Sequence, residues 1–203
     1  IRKNTFSLLE YLKILDLISN SIESIEEEGF YGLHNLTELN LFNNKIKIIK
    51  KRSFMGLDNL EKLNLKLNLI ESIEEEGFYG LFNLNELDLS KYYIKTIKKK
   101  SFFKLYNLKK LNFFSNSIES IEEGFQDLFL MNELDLDNNL LEYVSNTFLK
   151  GFDNISVLKL CNNKINMIKD YSFYFLRNLK RLDLNNNLIY YISNSSLTYL
   201  NFL

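Results

Sequence analysis

The chain contains no proline, only seven glycines and no long hydrophobic run. Because linkers between domains are rich in proline, glycine or serine, no segment here resembles one. The apolar runs span a handful of residues, whereas a helix that crosses a bilayer needs about 20. We therefore expect a single continuous domain over residues 1–203, with no transmembrane segment in this fragment.

Side chains that carry chemistry are equally scarce. One cysteine excludes an intrachain disulfide, and with one histidine it falls short of the several ligands of a zinc site. No glycine-rich phosphate loop or dinucleotide fingerprint occurs. Asp135 and Asp137 would suit calcium binding or glycoside hydrolysis, but they lie in an open column without a desolvating pocket. We interpret His34 as a surface loop residue and Cys161 as a packed, unreactive thiol. We predict that the chain is not an enzyme and holds no metal and no cofactor.

No charge of one sign predominates either. The 25 basic and 26 acidic side chains leave a formal net charge of −1. A protein that binds nucleic acid through its phosphates usually carries a clear positive field. We therefore expect no nucleic acid among the partners.

What the sequence has in abundance is self-similarity. A unit with the pattern LxxLxLxxNxIxxIxxxxFxxLxN recurs every 24 residues, with one residue lost in the fifth unit. Eight such units begin at residues 12, 36, 60, 84, 108, 131, 155 and 179. Units of this length cannot bury an apolar face alone and do so by stacking on their neighbours. We assign residues 1–203 to one solenoid without recognisable caps.

Each unit begins with a short predicted strand. Leu15 and Leu17 alternate with outward residues, which is the period of a strand. The apolar spacing then lengthens, so the chain must turn and return to start the next strand beside the last. Successive strands would then lie parallel, about 4.8 Å apart. This arrangement places Leu15, Leu39 and Leu63 side by side on adjacent strands.

Two further columns support the stack. An amide both donates and accepts, so asparagine can satisfy backbone groups where the chain bends after each strand. The asparagine column is Asn20, Asn44, Asn68, Asn116, Asn139, Asn163 and Asn187. Tyr92 interrupts it in the fourth unit, where we expect local distortion. The aromatic column is Phe30, Phe54, Phe78, Phe102, Phe125 and Phe173, with Leu149 beside Phe148 in the sixth unit and Leu197 in the eighth.

These columns resemble the typical 24-residue class of leucine-rich repeats, found in Toll-like receptor ectodomains, Slit proteins and small leucine-rich proteoglycans. The resemblance covers essentially the whole chain, although the prolines and cysteine-rich caps common in that class are absent. It implies an α/β fold, a right-handed horseshoe solenoid with a parallel β-sheet on its concave face. It also implies a protein-binding scaffold in an extracellular or cell-surface receptor or adhesion protein.

Other functions remain open at this point. The chain would also suit an intracellular or pathogen-encoded repeat effector, or the regulatory arm of an enzyme whose catalytic domain lies elsewhere. Because residue 1 is Ile rather than Met, we expect a piece of a longer protein.

Charge alternates over a longer period of 48 residues. The triplet Glu26–Glu28 is followed one unit later by Lys50–Arg52, then by Glu74–Glu76 and Lys98–Lys100. An outward strand column alternates in the same way: Glu38, Lys62, Glu86, Lys110 and Glu133. We interpret the bands as opposite charges in contact between stacked units, which also penalises a slip by one unit. The alternative, that they bind a charged partner, stays open.

Outward strand residues are free to vary without harming the core, and they form a rigid surface that loses little entropy on binding. The predicted partner-binding residues are Phe42, Lys66, Asp88, Phe114, Asp135 and Asp137. The two phenylalanines are the expected anchors, since exposed aromatics with charged neighbours suit interface hot spots. That they merely cover their neighbours remains the alternative.

The outer surface carries two further features. Of three glycosylation sequons, those at Asn35 and Asn154 coincide with a structural asparagine of the repeat, so Asn194 is the better glycan acceptor in a secreted chain. Units six to eight gain exposed tyrosines, including Tyr143 and Tyr190, which would suit a second contact or a homodimer.

Overall fold

The computed structural model describes residues 1–125 and 127–203, which form fourteen short strands. In chain order they are β1 Ile14–Asp16, β2 Glu38–Asn40, β3 Ile48–Ile49, β4 Lys62–Asn64, β5 Ser72–Ile73, β6 Glu86–Asp88, β7 Thr96–Ile97, β8 Lys110–Asn112, β9 Ser120–Ile121, β10 Glu133–Asp135, β11 Val157–Lys159, β12 Met167–Ile168, β13 Arg181–Asp183 and β14 Tyr191–Ile192.

The three-residue strands β1, β2, β4, β6, β8, β10, β11 and β13 lie on one side of the solenoid, which we call the main-strand face. Where they pair, they do so in parallel and in repeat register. Leu15 is opposite Leu39, and Leu39 is opposite Leu63, so the predicted side-by-side placement is confirmed. The chain is therefore a parallel-strand solenoid, as the repeat predicted.

Both sides of the solenoid lose strand pairing at one shared place, and the opposite side has a further break between β9 and β12. On the main-strand face, β1, β2 and β4 form one sheet, and β6, β8, β10, β11 and β13 form another. On the opposite side, β3 pairs with β5 and β7 pairs with β9, but β5 and β7 belong to different sheets. Both sides thus lose strand pairing between the third and fourth units. We call this boundary the seam.

The return segments contain turns rather than helices, so the α component of the expected α/β class is not found in the part of the chain that the structure describes. Glu28, Arg52, Glu76 and Lys100 open these segments with φ between 51° and 59°. A left-handed residue cannot continue a right-handed helix. In the first unit, Gly32 follows only four residues later with φ 101°, so no helical run can form between them.

A continuous core joins the units across the seam. The rings of Phe30, Phe54, Phe78 and Phe102 stack almost in parallel, with successive centroids 6.0, 5.6 and 5.4 Å apart. The next ring, Phe125, tilts by 30°. These side chains are all buried, and each contributes roughly 1.5–3 kcal/mol through burial. The predicted aromatic column is thus formed, with uniform stacking in the first half of the chain.

The asparagine column also acts as predicted, except at Asn20, whose amide bonds only to Leu17 and Ile18 of its own unit. The Asn44 amide donates to the carbonyl oxygens of Leu17 and Leu41 at 3.0 and 3.1 Å, and its oxygen accepts from the Ile22 N–H at 3.0 Å. The same three bonds recur at Asn68, Asn116, Asn139, Asn163 and Asn187. Each amide therefore links two neighbouring units. Among the described residues, no helix has the length and hydrophobicity needed to cross a membrane.

Candidate protein-binding face

A local hydrogen bond fixes the end of the first six strands on the main-strand face. The Asn40 side chain accepts from the Phe42 N–H at 3.1 Å, and the Asn112 side chain accepts from the Phe114 N–H at 2.8 Å. Asp16, Asn64, Asp88 and Asp135 make the same bond two residues ahead. This turn sets the direction of the chain as it leaves each strand. This turn was not predicted, although the Asp or Asn at each of these positions was a signal for it.

The two predicted anchors are held firmly but are only partly exposed. The carbonyl oxygen of Phe42 accepts from Ser19 at 2.9 Å, and that of Phe114 accepts from Lys91 at 2.8 Å. Both phenylalanines are half-buried rather than open as expected. They lie three units apart, or about 14 Å at the usual strand spacing. Their packing leaves part of each aromatic side chain available for contact.

An ion pair lies between these two anchors. The Lys66 ammonium contacts the Asp88 carboxylate at 3.1 Å and so connects the third unit to the fourth across the seam. Burial alone would raise the pKa of Asp88, but hydrogen bonds from Ser90 and the charge of Lys66 outweigh it. The net pKa of Asp88 is lowered, so the carboxylate stays charged at neutral pH.

The remaining predicted acids are already engaged. Asp135 pairs with Lys159 at 3.1 Å, and Asp137 accepts the Cys161 N–H at 2.6 Å. Burial and the nearby carboxylates raise the pKa of Asp137, against the effect of that hydrogen bond. The Cys161 thiol is 7% exposed and donates to Asn185 at 2.7 Å, and burial together with Asp137 raises its pKa. These contacts fit the packed, unreactive thiol expected from the sequence.

The alternating charges meet between stacked units, as the structural interpretation predicted. On the main-strand face Lys62 pairs with Glu38, and Lys110 pairs with Glu86 at 3.0 Å. On the opposite side Arg52 pairs with Glu76 at 2.8 Å. Exposed pairs of this kind contribute only about 0–1 kcal/mol each, so their main effect is on register.

Tyr92 lies at the seam, where the sequence predicted distortion. Its ring is 5% exposed, and its hydroxyl donates to the Leu65 carbonyl at 2.5 Å. Burial and the Asp88 charge raise the pKa of Tyr92, so it remains a neutral donor. A hydroxyl cannot also supply the amide's second donor, and the longer ring holds the neighbouring backbone at a distance. In the described residues the Ile70 N–H, which an asparagine oxygen would accept, has no bond.

A groove of about 850 Å³ lies on the main-strand face beside this interruption, and we call it the seam groove. It extends from the first to the fourth unit. The residues that line it are Ile14, Asp16, Glu38, Leu39, Asn40, Glu61, Lys62, Leu63, Asn64, Leu65, Lys66, Asn85, Glu86 and Asp88. Two of the predicted partner-binding residues, Lys66 and Asp88, are therefore part of this groove.

The sequons fall in distinct environments. The amides of Asn35 and Asn154 donate to the carbonyls of Glu10 and Phe129 at 2.9 and 2.7 Å, so both have a structural role. Asn194 is exposed. His34 is also partly exposed, with its ring 3.4 Å from Asp58, as expected for a surface loop.

Comparisons with known proteins agree with this geometry. A model of the BspA-type leucine-rich repeat region matches residues 1–127 in six copies, and a leucine-rich repeat model matches residues 153–203. A chain of the TLR13–ssRNA13 complex matches with TM-score 0.79 and 28% identity, over 95% of this chain and 30% of that one. A leucine-rich repeat protein of Leptospira interrogans matches with TM-score 0.66 and 26% identity, over 97% and 55%. A search of curated proteins gave no match. The chain belongs to the leucine-rich repeat family.

Proposed function

We propose that the chain is a protein-binding scaffold whose main-strand face, on the concave side of a curved right-handed solenoid, holds a protein ligand. The observation that carries this proposal is the arrangement of Phe42 and Phe114 on either side of the Lys66–Asp88 ion pair. Half-buried aromatics held by a rigid backbone lose little entropy on binding and suit hot spots. Asp135 and Asp137 extend the same face.

The wider setting follows from the same proposal. We place the scaffold in an extracellular or cell-surface receptor or adhesion protein, and the match to TLR13 supports a receptor-like role. Asn194, exposed within its sequon, would carry a glycan there. The alternatives are an intracellular or pathogen-encoded effector and the regulatory arm of an enzyme. No catalytic role is part of this proposal.

Protein is favoured over nucleic acid as the partner. The TLR13 neighbour was solved with single-stranded RNA, so the fold itself does not decide the question. In this chain the seam groove is lined by five carboxylates and two lysines. This excess of negative charge would repel a phosphate backbone.

The outer surface supports a second proposal of contact between two copies of the chain. Tyr143 and Tyr190 are 54% and 74% exposed, and the unit between them carries Tyr171 and Tyr174, whose rings are in contact. Aromatic side chains are enriched in interfaces. Analytical ultracentrifugation of the unchanged chain and of a Tyr143→Ala, Tyr190→Ala variant tests this dimer, because only the unchanged chain should associate. If the unchanged chain is a monomer at all concentrations, the dimer is excluded.

The function is tested by affinity capture from the extracellular protein fraction of the source organism. We expect Phe42→Ala with Phe114→Ala to reduce capture of the same proteins by roughly tenfold, as hot spots do. A control with Tyr93→Ala and Tyr106→Ala removes two exposed rings elsewhere and should retain capture. Equal capture by all three proteins would remove the assignment.

A further inference from the structure

The seam leaves backbone groups without partners on the main-strand face. At the neighbouring boundaries, Leu41 N–H donates to Asn64 at 2.8 Å and Leu89 N–H donates to Asn112 at 2.8 Å. In the described residues the equivalent bond from Leu65 to the Asp88 carbonyl is absent, as is that from Leu67 to Ser90. These N–H and C=O groups are left to bond with solvent or with polar groups of a guest in the groove.

The floor of the groove is unusually open at the same place. Leu39 on β2 and Leu87 on β6 are buried, with 1% and 2% exposed, as are the corresponding leucines of β8, β10 and β11. Leu63 on β4 is instead only partly buried. Because β4 lacks a partner on its seam side, its leucine is less well covered. The groove therefore offers an apolar contact between its polar walls.

The walls carry a local excess of negative charge. Of the two lysines that line the groove, Lys62 is paired with Glu38 and Lys66 is paired with Asp88. Glu61 and Asp16 form no ion pair in the described part of the chain. Glu86 shares its charge with Lys110, which is not part of the lining. A guest that enters the groove is therefore met by uncompensated carboxylates.

We propose that the seam groove binds an extended, lysine- or arginine-containing peptide segment of a partner protein. Apolar contact with Leu63 and hydrogen bonds to polar groups of the groove would give affinity, and the carboxylates would select positive charge. The volume of about 850 Å³ lies within the roughly 300–1,000 Å³ typical of ligand clefts. This inference rests on the protein-binding function and adds the chemistry of the ligand.

The probe is a fluorescein-labelled peptide of alternating arginine and serine. A labelled peptide of alternating glutamate and serine is the control of opposite charge. Fluorescence anisotropy should report binding of the first alone, weakening as salt rises because the attraction is electrostatic. Glu61→Gln with Glu86→Gln should raise Kd about tenfold through the loss of two charge contacts. A control, Glu119→Gln with Glu142→Gln, removes the same charge from exposed sites outside the groove and should change Kd less than about twofold.

A third variant tests whether the seam itself makes the site. Tyr92→Asn restores the residue found at this position in the other units, so it should close the groove and weaken binding without unfolding the chain. If this variant does not fold, the comparison of the Glu61, Glu86 variant with the Glu119, Glu142 control still tests the proposal. Equal binding of both peptides, no binding, or an equal loss in the control pair would overturn the proposal. If the arginine peptide fails while the Phe42, Phe114 variant still loses its captured partner, the groove proposal falls and the protein-binding function stands.

Discussion

The hydroxyl of Tyr92 bonds to the carbonyl of Leu65 across the boundary where both sheets lose their pairing. At the next boundary Asn116 occupies the same place, and its amide bonds to Leu89 and Phe113 at 2.8 and 3.0 Å while its oxygen accepts from Ile94. The tyrosine hydroxyl thus donates one bond where the asparagine amide donates two, and in the described residues it gives no bond to the Ile70 N–H. We attribute the seam to this single side chain.

Tyr92→Asn should restore the missing strand pairing. The amides of Leu65 and Leu67 have no partner among the described residues, so their hydrogens exchange with solvent by local fluctuation, whereas paired amides require larger opening. We expect the variant to slow exchange at both positions by about tenfold or more, with little change at Leu41 and Leu89, which are already paired. Hydrogen exchange followed by NMR measures this directly. Unchanged exchange at Leu65 and Leu67 would mean that the tyrosine is not the cause of the seam.

Asn163→Ala should destabilise the fold strongly. Its amide nitrogen donates to the Leu136 and Leu160 carbonyls and its oxygen accepts from the Leu141 N–H, and all three bonds are buried. Each buried group left without a partner costs about 1–3 kcal/mol, so we expect a loss of about 3 kcal/mol or more in the free energy of unfolding. Urea titration gives the value. The exposed Asn194→Ala serves as control, and similar losses for the two would refute a special role for the column.

Phe78→Ala should remove a central member of the aromatic stack. The ring is fully buried and lies 5.6 and 5.4 Å from the rings of Phe54 and Phe102. Truncation of a buried phenylalanine costs about 3–5 kcal/mol, because it leaves a cavity between units. Phe202→Ala, at a side chain that is 62% exposed, should cost far less. Thermal unfolding of both variants measures the difference, and equal melting temperatures would contradict a shared core.

Cys161 should react slowly with alkylating agents at neutral pH. Burial and Asp137 raise its pKa, so the neutral thiol persists to higher pH than in a free cysteine, and only the thiolate attacks. Asp137→Asn removes one negative neighbour and should shift the pH–rate profile for iodoacetamide to lower pH. Asp153→Asn, which changes an exposed acid elsewhere, is the matched control. A profile that is the same in all three proteins would contradict the assigned interaction.

The repeat made the interior predictable because each unit sees nearly the same neighbours. The Leu39 position is leucine in every unit and the Asn44 position is asparagine in every unit but the fourth, so the strand and the amide bonds followed from spacing. Tyr92 indicated where the stack is distorted. The extent of the distortion depends on how far the ring separates the backbones of the third and fourth units, and that distance does not follow from the spacing of residues in the sequence. The half-buried state of Phe42 escaped prediction because it depends on side chains of adjacent units.

The return segments and strand ends were harder to predict for a local reason. The left-handed φ at Glu28 and Arg52 has no sequence signature, since a charged residue is not the usual occupant of that region. The turn bond that Asn40 accepts from the Phe42 N–H was signalled by a column of Asp and Asn residues, but those side chains also suited an exposed binding surface.

The account is tested most directly by the hydrogen-exchange footprint of a captured partner. If the main-strand face binds, protection should rise at residues 38–42, 62–66, 86–90 and 110–114 and stay constant on the turns of the opposite side. Protection confined to the outer tyrosines around Tyr171 and Tyr190, with none on these strands, would contradict the proposed function.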